Sequence, residues 1–269
     1  WGNYFSPLLD HNNTLTKGEG YLTDDFTSKA IEFIKEDKDE PFFIYLAYNT
    51  PHSPMQAPQK YWETQKDKDL KMLNERYEED TSFTKAALAM VENIDANLGR
   101  ISDQLKELNI EENTIVIFMC DNGPNSWRWN DGLKGRKGWT DEGGVRSPFI
   151  MKWKGALKAG DRISSIAGSV DILPTLVEMT GITIPDEINL KKSKMLDGSN
   201  MFVKSGSKVI YSYWNEKLSL RNEKFRLDHE GNLFDMLKDI NQTVDVKSIF
   251  PKEYNDMVIL KEQWLTDIA

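Results

Sequence analysis

The sequence contains little cysteine or histidine and no long hydrophobic run. A single cysteine, Cys120, among 269 residues excludes an internal disulfide framework. No segment approaches the roughly 20 consecutive apolar residues that a helix needs to cross a bilayer. No block of basic residues offsets the net charge of −9, so the charge balance argues against a nucleic-acid-binding surface.

The chain also lacks an initiator methionine and a signal peptide. It begins at Trp1, and residues 1–20 show no periodicity, so we predict a loop there. We expect the chain to be the later part of a longer protein whose N-terminal segment is missing from it. The lack of an export signal then carries no information about localisation.

The chain has an ordinary globular composition, with 39% hydrophobic and 29% charged residues. We predict three regions along it. Residues 1–181 form the later part of a large α/β domain, residues 182–206 a polar linker, and residues 207–269 a small α+β subdomain.

Two apolar segments, residues 42–48 and 115–120, are predicted to be central strands. Strands that are buried on both faces are typical of parallel sheets flanked by helices. Between them, apolar residues recur at steps of three and four from Phe83 to Leu108, which predicts a long helix packed on the sheet. We therefore predict an α/β fold with a mostly parallel sheet flanked by helices.

The C-terminal region shows a different pattern. Short apolar runs separated by turn residues predict a small antiparallel sheet, with strands over residues 209–214, 218–221, 224–227 and 232–235. A last helix is predicted over residues 252–268.

Asp121 and Asn122 follow the apolar strand that ends at Cys120. In an open α/β sheet, ligands bind beyond the carboxyl ends of the strands. A carboxylate and an amide at that position are two oxygen donors for a hard cation. The alternative interpretation is a plain turn, which the sequence Asp-Asn-Gly-Pro also fits.

A basic, glycine-rich segment follows, with Lys137 at its centre. Flexible backbone and several cations suit close approach to an anion, although a basic glycine-rich loop is more often a solvated connection than a binding loop. His52 lies in the sequence Pro-His-Ser-Pro and is either a rigid turn residue or a group that donates to an oxyanion. Trp127 and Trp129 either stack on a sugar ring or pack their loop against the rest of the protein.

Several of these motifs, taken in order, resemble a known family. The Asp-Asn-Gly turn is followed by Gly-x-Lys-Gly-x-x-x-Glu-Gly-Gly-Val-Arg-x-Pro, and the upstream Pro-His-Ser-Pro is similar to the Pro-His-x-Pro element. Leu-Phe-Asp-Met near residue 233 resembles an element of the C-terminal subdomain. The family is the type I sulfatases, the formylglycine-dependent enzymes of the alkaline phosphatase superfamily.

The resemblance implies an alkaline phosphatase-like fold and hydrolysis of an organic sulfate ester, with carbohydrate as the favoured substrate. It makes Asp121 and Asn122 calcium ligands, Lys137 the cation that binds sulfate oxygens, and His52 a group that contacts the sulfate or the leaving oxygen. Trp127 and Trp129 are candidate substrate contacts. The partner implied is a sulfated small molecule or glycan, and the localisation implied is periplasmic or extracellular.

The chain departs from the family in two respects. Nothing in it matches Cys-x-Pro-x-Arg, from which the family makes formylglycine, and the family's early pair of aspartates is absent. We expect formylglycine in the missing N-terminal part, and we expect the chain alone to be inactive because half of the metal shell and the nucleophile are missing. The alternatives are a phosphate or phosphonate ester hydrolase of the same superfamily, or a non-catalytic anion-binding relative.

Overall fold

A computed structural model describes residues 3–36, 38–74, 76–183, 198–203 and 208–268. Most of the predicted linker, residues 184–197 and 204–206, lies outside the described residues, and the predicted domain boundaries stay a prediction. The chain divides into two compact units, which are described separately. The first comprises Trp1–Met119, Trp127–Trp129 and Pro148–Ala159, and the second Cys120–Ser126, Asn130–Ser147 and Gly160–Ala269.

The helices and strands follow in chain order: β1 (Leu8–His11), β2 (Thr14–Lys17), α1 (Leu22–Glu36), α2 (Gln59–Gln65), α3 (Thr81–Glu107), β3 (Val116–Met119), α4 (Glu142–Val145), β4 (Phe149–Lys152), α5 (Ile172–Thr180), β5 (Ile210–Trp214), β6 (Lys217–Arg221), β7 (Phe225–Leu227), β8 (Leu233–Asp235) and α6 (Pro251–Ile268). No helix in these described ranges is both long enough and apolar enough to cross a membrane.

The long helix predicted in the first unit is confirmed as α3, although it contacts α1 and α2 rather than packing on a sheet in the described part of the chain. It begins where the Asp80 side chain accepts a hydrogen bond from the Phe83 amide at 2.9 Å, which satisfies one of the free donors of the first turn. Its apolar stripe is buried at Ala87, Met90, Ile94 and Leu105, and Met90 has no exposed surface. Helix α1 contacts it through Asp24, which accepts a hydrogen bond from the Asn93 amide group at 2.8 Å.

Residues 42–48 do not form the predicted strand and have no ladder partner among the described residues. Their side chains alternate in exposure as those of a strand do, with Phe43 and Tyr45 81% and 82% exposed. Strand β3 instead pairs with β4, and the pairing is antiparallel, with Val116 opposite Lys152. The predicted sheet with residues 42–48 and β3 as parallel strands is therefore not formed in the described part of the chain.

Two elements of the first unit were not predicted. Residues 1–20 contain a β-hairpin, β1–β2, whose two-residue turn consists of Asn12 and Asn13. Both residues have positive φ angles, 53° and 64°, which asparagine tolerates and which this hairpin turn requires. The prediction of a loop was wrong here because the two strands are short and lie on an exposed surface. Helix α2 was missed because its sequence is mostly polar.

The antiparallel sheet predicted in the second unit is confirmed. Its strand order is β5-β6-β7-β8, with every neighbouring pair antiparallel. Helix α6, also predicted, packs on the sheet through Met257. The core contains these buried residues: Leu218, Leu220, Phe225, Leu227, Leu233 and Met257. Burial of each such side chain stabilises the folded state by about 1.5–3 kcal/mol, so this sheet has a core of its own.

Candidate active site

The Asp-Asn-Gly turn comes directly after β3 and the single residue Cys120. Asp121 is exposed and Asn122 is half-buried. The Asn122 Nδ2 group donates to Asp121 Oδ1 at 2.5 Å, which orients the two side chains relative to each other. Because that bond uses the amide nitrogen, Asn122 Oδ1 and Asp121 Oδ2 remain as oxygen donors.

Backbone hydrogen bonds hold this turn beside the basic loop. The Gly123 amide donates to the Gly144 carbonyl at 2.9 Å, and the Lys137 amide donates to the Pro124 carbonyl at 2.9 Å. The second unit therefore brings three of the predicted site residues, Asp121, Asn122 and Lys137, onto two adjoining loops.

The contact between these loops requires glycine at position 123. A Cβ atom on Gly123 would lie 1.9 Å from the Gly143 carbonyl oxygen, which is backbone and cannot rotate away. We expect Gly123→Ala to lower the free energy of unfolding by about 1–3 kcal/mol, the usual cost of overpacking. Urea unfolding measures this change.

A matched control exists in α3. A Cβ atom on Gly99 would meet nothing within 4 Å. Gly99→Ala should raise the free energy of unfolding by about 0.5–1 kcal/mol, because alanine loses less backbone entropy in a helix. Equal effects of the two substitutions would contradict the close approach at Gly123.

Lys137 lies at a turn in the basic loop, where the Trp139 amide donates to the Arg136 carbonyl at 2.9 Å. Arg136 also donates through Nη1 to the Asn125 carbonyl at 3.0 Å, a second link to the Asp-Asn-Gly turn. Lys137 is half-buried, and its ammonium group forms no ion pair with any residue that the structure describes. The ammonium group is therefore available to an anion.

The helical turn α4, which ends the basic loop, contains a buried carboxylate. Glu142 Oε2 lies 2.7 Å from Arg226 Nη2, and Glu142 Oε1 lies 3.1 Å from Arg146 Nη1. Burial alone would raise the pKa of Glu142, but Arg226 and the neighbouring arginines outweigh it and hold the pKa below its usual range. Glu142 is therefore a charged structural residue. Sequence reasoning missed its partner Arg226, 84 residues away.

His52 belongs to the first unit. Its side chain is exposed, and its Nδ1 atom lies 2.9 Å from the Ser53 carbonyl oxygen. The loop is held by Tyr4, whose hydroxyl donates to the carbonyls of Asn49 and His52 at 3.0 and 2.9 Å. The ring is thus presented at the surface of a loop with a fixed backbone.

The two predicted tryptophans also belong to the first unit and differ from each other. The Trp127 ring stacks on Tyr77, with ring centroids 3.9 Å apart, so one of its faces is covered. Trp129 is 44% exposed, and its backbone amide donates to Glu79 Oε2 at 3.1 Å. Trp127 thus packs its loop against Tyr77, whereas Trp129 presents an exposed ring.

The oxygen donors of Asp121 and Asn122 fit calcium in chemical type but not in number. Calcium takes six to eight oxygen ligands, as a rule including several carboxylates. The described residues contain no cluster of three or more His, Cys, Asp or Glu side chains that could hold a metal ion. Asp121 and Asn122 would therefore supply only part of a calcium shell.

Comparison with known proteins gives the family. Residues 2–182 match the Sulfatase family, and residues 126–258 match the family "N-sulphoglucosamine sulphohydrolase, C-terminal". The chain belongs to the sulfatase family. It is 32% identical over 200 residues to the uncharacterized sulfatase YdeN of Escherichia coli K12, a match that covers 72% of this chain and 33% of YdeN. It is 31% identical over 196 residues to N-acetylgalactosamine-6-sulfatase of Canis lupus familiaris, covering 70% of this chain and 33% of that protein.

Solved structures show the same fold. The chain superposes on the crystal structure of Ps i-CgsB with a TM-score of 0.82 and 29% identity, covering 96% of this chain and 58% of that one. Ps i-CgsB has also been solved in complex with k-i-k-neocarrahexaose. The predicted α/β, alkaline phosphatase-like fold is therefore confirmed. The chain spans about a third of the length of the curated sulfatases that it matches.

Proposed function

We propose that the protein to which this chain belongs is a sulfuric ester hydrolase that removes sulfate from a carbohydrate sulfate ester. The observation that carries the proposal is the pair of adjoining loops in the second unit. One presents a carboxylate and an amide oxygen, and the other presents the ammonium group of Lys137, which has no ion-pair partner among the described residues. A cation site and an anion site are what binding of a sulfate group requires.

The residues of this chain have distinct roles in the proposed reaction. Cleavage of a sulfate ester concentrates negative charge on the sulfuryl oxygens and on the departing alcohol oxygen. Lys137 binds the sulfuryl oxygens, and its fixed charge stabilises the transition state more than the ground state. His52 donates a proton or hydrogen bond to the departing oxygen.

The proposed site also requires a metal ion and a nucleophile. Asp121 and Asn122 would hold a calcium ion, which would add positive charge beside the sulfate oxygens. The nucleophile would be a formylglycine, and we assign it to a part of the protein outside this chain. On that assignment the chain alone is inactive.

The substrate class follows from the relatives and from one exposed ring. One relative is named for the sulfate on N-acetylgalactosamine, which is a sugar. Trp129 offers an exposed aromatic face on which a sugar ring stacks. The proposed partner is a sulfated glycan or small sugar, and the proposed location is periplasmic or extracellular.

The proposal is tested by assaying the whole protein with an aryl sulfate and the matching aryl phosphate. Preferential release of phenol from the sulfate supports the proposed function. Preference for the phosphate would instead favour a phosphate or phosphonate ester hydrolase. No turnover of either, with inorganic sulfate still bound, would indicate a non-catalytic anion-binding protein.

We expect Asp121→Ala to raise the calcium concentration required for half-maximal activity by at least about tenfold, since a direct ligand is lost. Calcium titration of activity and of the thermal midpoint measures this change. The control is Asp103→Ala, which removes an exposed carboxylate from α3. An unchanged calcium requirement in Asp121→Ala would remove Asp121 from the metal shell.

A further inference from the structure

A half-buried lysine, Lys134, connects the basic loop to the C-terminal sheet within the second unit. Lys134 Nζ lies 3.2 Å from Asp141 Oδ1 and 3.1 Å from Asp228 Oδ2. Both carboxylates are fully buried, and the Lys134 side chain is only 21% exposed. Asp141 lies in the basic loop, whereas Asp228 directly follows β7. The ammonium group of Lys134 therefore bridges two parts of the chain that are far apart in sequence.

The segment beyond Lys137 is held by the same sheet. Arg226 in β7 donates through Nη1 to the Thr140 carbonyl at 2.7 Å and pairs through Nη2 with Glu142 at 2.7 Å. The Thr140 hydroxyl is 2.7 Å from that of Ser219 in β6, and both side chains are buried. Thr140 and Glu142 are thereby fixed to the sheet.

The Gln242 side chain contacts both Asp141 and Glu142. Its side-chain oxygen accepts a hydrogen bond from the Glu142 amide at 2.9 Å, and its Nε2 donates to Asp141 Oδ1 at 3.0 Å. Asp141 thus accepts hydrogen bonds from both Lys134 and Gln242. A buried carboxylate with two such partners holds its backbone in one position.

The bridge is charged at neutral pH. Burial by itself would lower the pKa of Lys134, but Asp141 and Asp228 outweigh it and leave the pKa raised. The pKa of Asp228 is shifted in the opposite direction. Burial by itself would raise it, but hydrogen bonds from Asn232 and the charge of Lys134 outweigh burial and lower it.

We infer that Lys134 is a positioning residue for Lys137, acting through its bridge to Asp141 and Asp228. Lys137 has no side-chain ion pair among the described residues, so the position of its ammonium group depends on the backbone that carries it. That backbone is fixed three residues before Lys137, at Lys134, and again three to five residues after it. The C-terminal sheet thereby sets the position of the sulfate-binding cation, an inference that rests on the proposed function.

The test compares Lys134→Met with the conservative Lys134→Arg in the whole protein. The matched control is Lys208→Met, which breaks another largely buried bridge of the second unit, to Asp171 at 2.9 Å, away from the basic loop. Asp228→Asn is the second variant, since it keeps the side-chain volume and removes the charge, while one of the two acceptor oxygens becomes an amide donor. The readouts are amide hydrogen exchange, the affinity for inorganic sulfate and the free energy of unfolding.

We expect faster exchange of the Lys137 amide, now protected by its bond to Pro124, in Lys134→Met and Asp228→Asn. Sulfate affinity should fall about tenfold, equivalent to about 1.4 kcal/mol. Lys134→Arg should restore both readouts, and Lys208→Met should change neither, even where it lowers stability equally.

Unchanged exchange at Lys137 in the two bridge variants would overturn the inference. So would equal effects of Lys134→Met and Lys208→Met. Failure of the unsubstituted whole protein to bind sulfate would contradict the proposed function instead, while the exchange measurement would still decide whether Lys134 positions the loop.

Discussion

Replacing Lys137 by alanine should lower the rate of sulfate ester hydrolysis by about 10²–10³-fold, the usual loss when one preorganised group that stabilises transition-state charge is removed. The loss should appear mainly in kcat, because charge on the sulfuryl oxygens and leaving oxygen increases towards the transition state. The free energy of unfolding should stay within about 0.5 kcal/mol, since the Lys137 ammonium group has no ion pair with a described residue. Steady-state kinetics with an aryl sulfate and urea unfolding measure the two quantities.

The control for Lys137 is Lys238→Ala, which removes an exposed lysine of the same unit. Its kinetics should match those of the unsubstituted protein. A loss confined to KM in Lys137→Ala would show that the ammonium group binds substrate and transition state equally, and that Lys137 provides no catalysis. Full activity would remove Lys137 from the site.

The elements that the sequence predicts well are those whose signal is local and repeated. Helix α3 has an apolar residue at every third or fourth position and a capping aspartate, Asp80, at its start. The four strands of the C-terminal sheet have short apolar runs and clear turn residues between them. In both cases the periodicity and the packing agree, so tertiary contacts reinforce the local preference.

Strand pairing is harder to predict, because it depends on which segment lies alongside. Residues 42–48 have the alternation of a strand, yet the described residues provide no partner for their backbone groups. Strand β3 has a continuous apolar sequence, typical of a parallel sheet, but it pairs antiparallel with β4. Composition predicts an extended conformation in each case and leaves the partner undetermined.

The candidate site also has one part that the sequence predicts and another that it does not. The chemistry of Asp121, Asn122 and Lys137 can be proposed from residue type and order along the chain. The ion pair between Lys134 and Asp228 cannot be proposed from the sequence, because the two residues are 94 positions apart and each resembles a surface residue when taken alone. Long-range ion pairs leave no periodic signal, so only the folded chain reveals them.

The largest loss of stability is expected for Arg226→Met, at about 3–5 kcal/mol, because it leaves the buried carboxylate of Glu142 without its closest cation. The side chain also loses its hydrogen bond to the Thr140 carbonyl, itself buried. Arg146 and Arg221, at 3.1 and 3.7 Å from Glu142, remain and favour the lower end of that range. Urea unfolding measures the loss.

Two comparisons separate loss of the charge pair from loss of packing in Arg226→Met. The double variant Arg226→Met with Glu142→Gln should recover part of the stability, because it removes the buried charge that the single variant leaves uncompensated. Arg162→Met, at an exposed position, should change the free energy of unfolding by less than about 0.5 kcal/mol. If the double variant is as unstable as the sum of its single variants, the ion pair contributes little and the loss comes from packing of the Arg226 side chain against β6 and the basic loop.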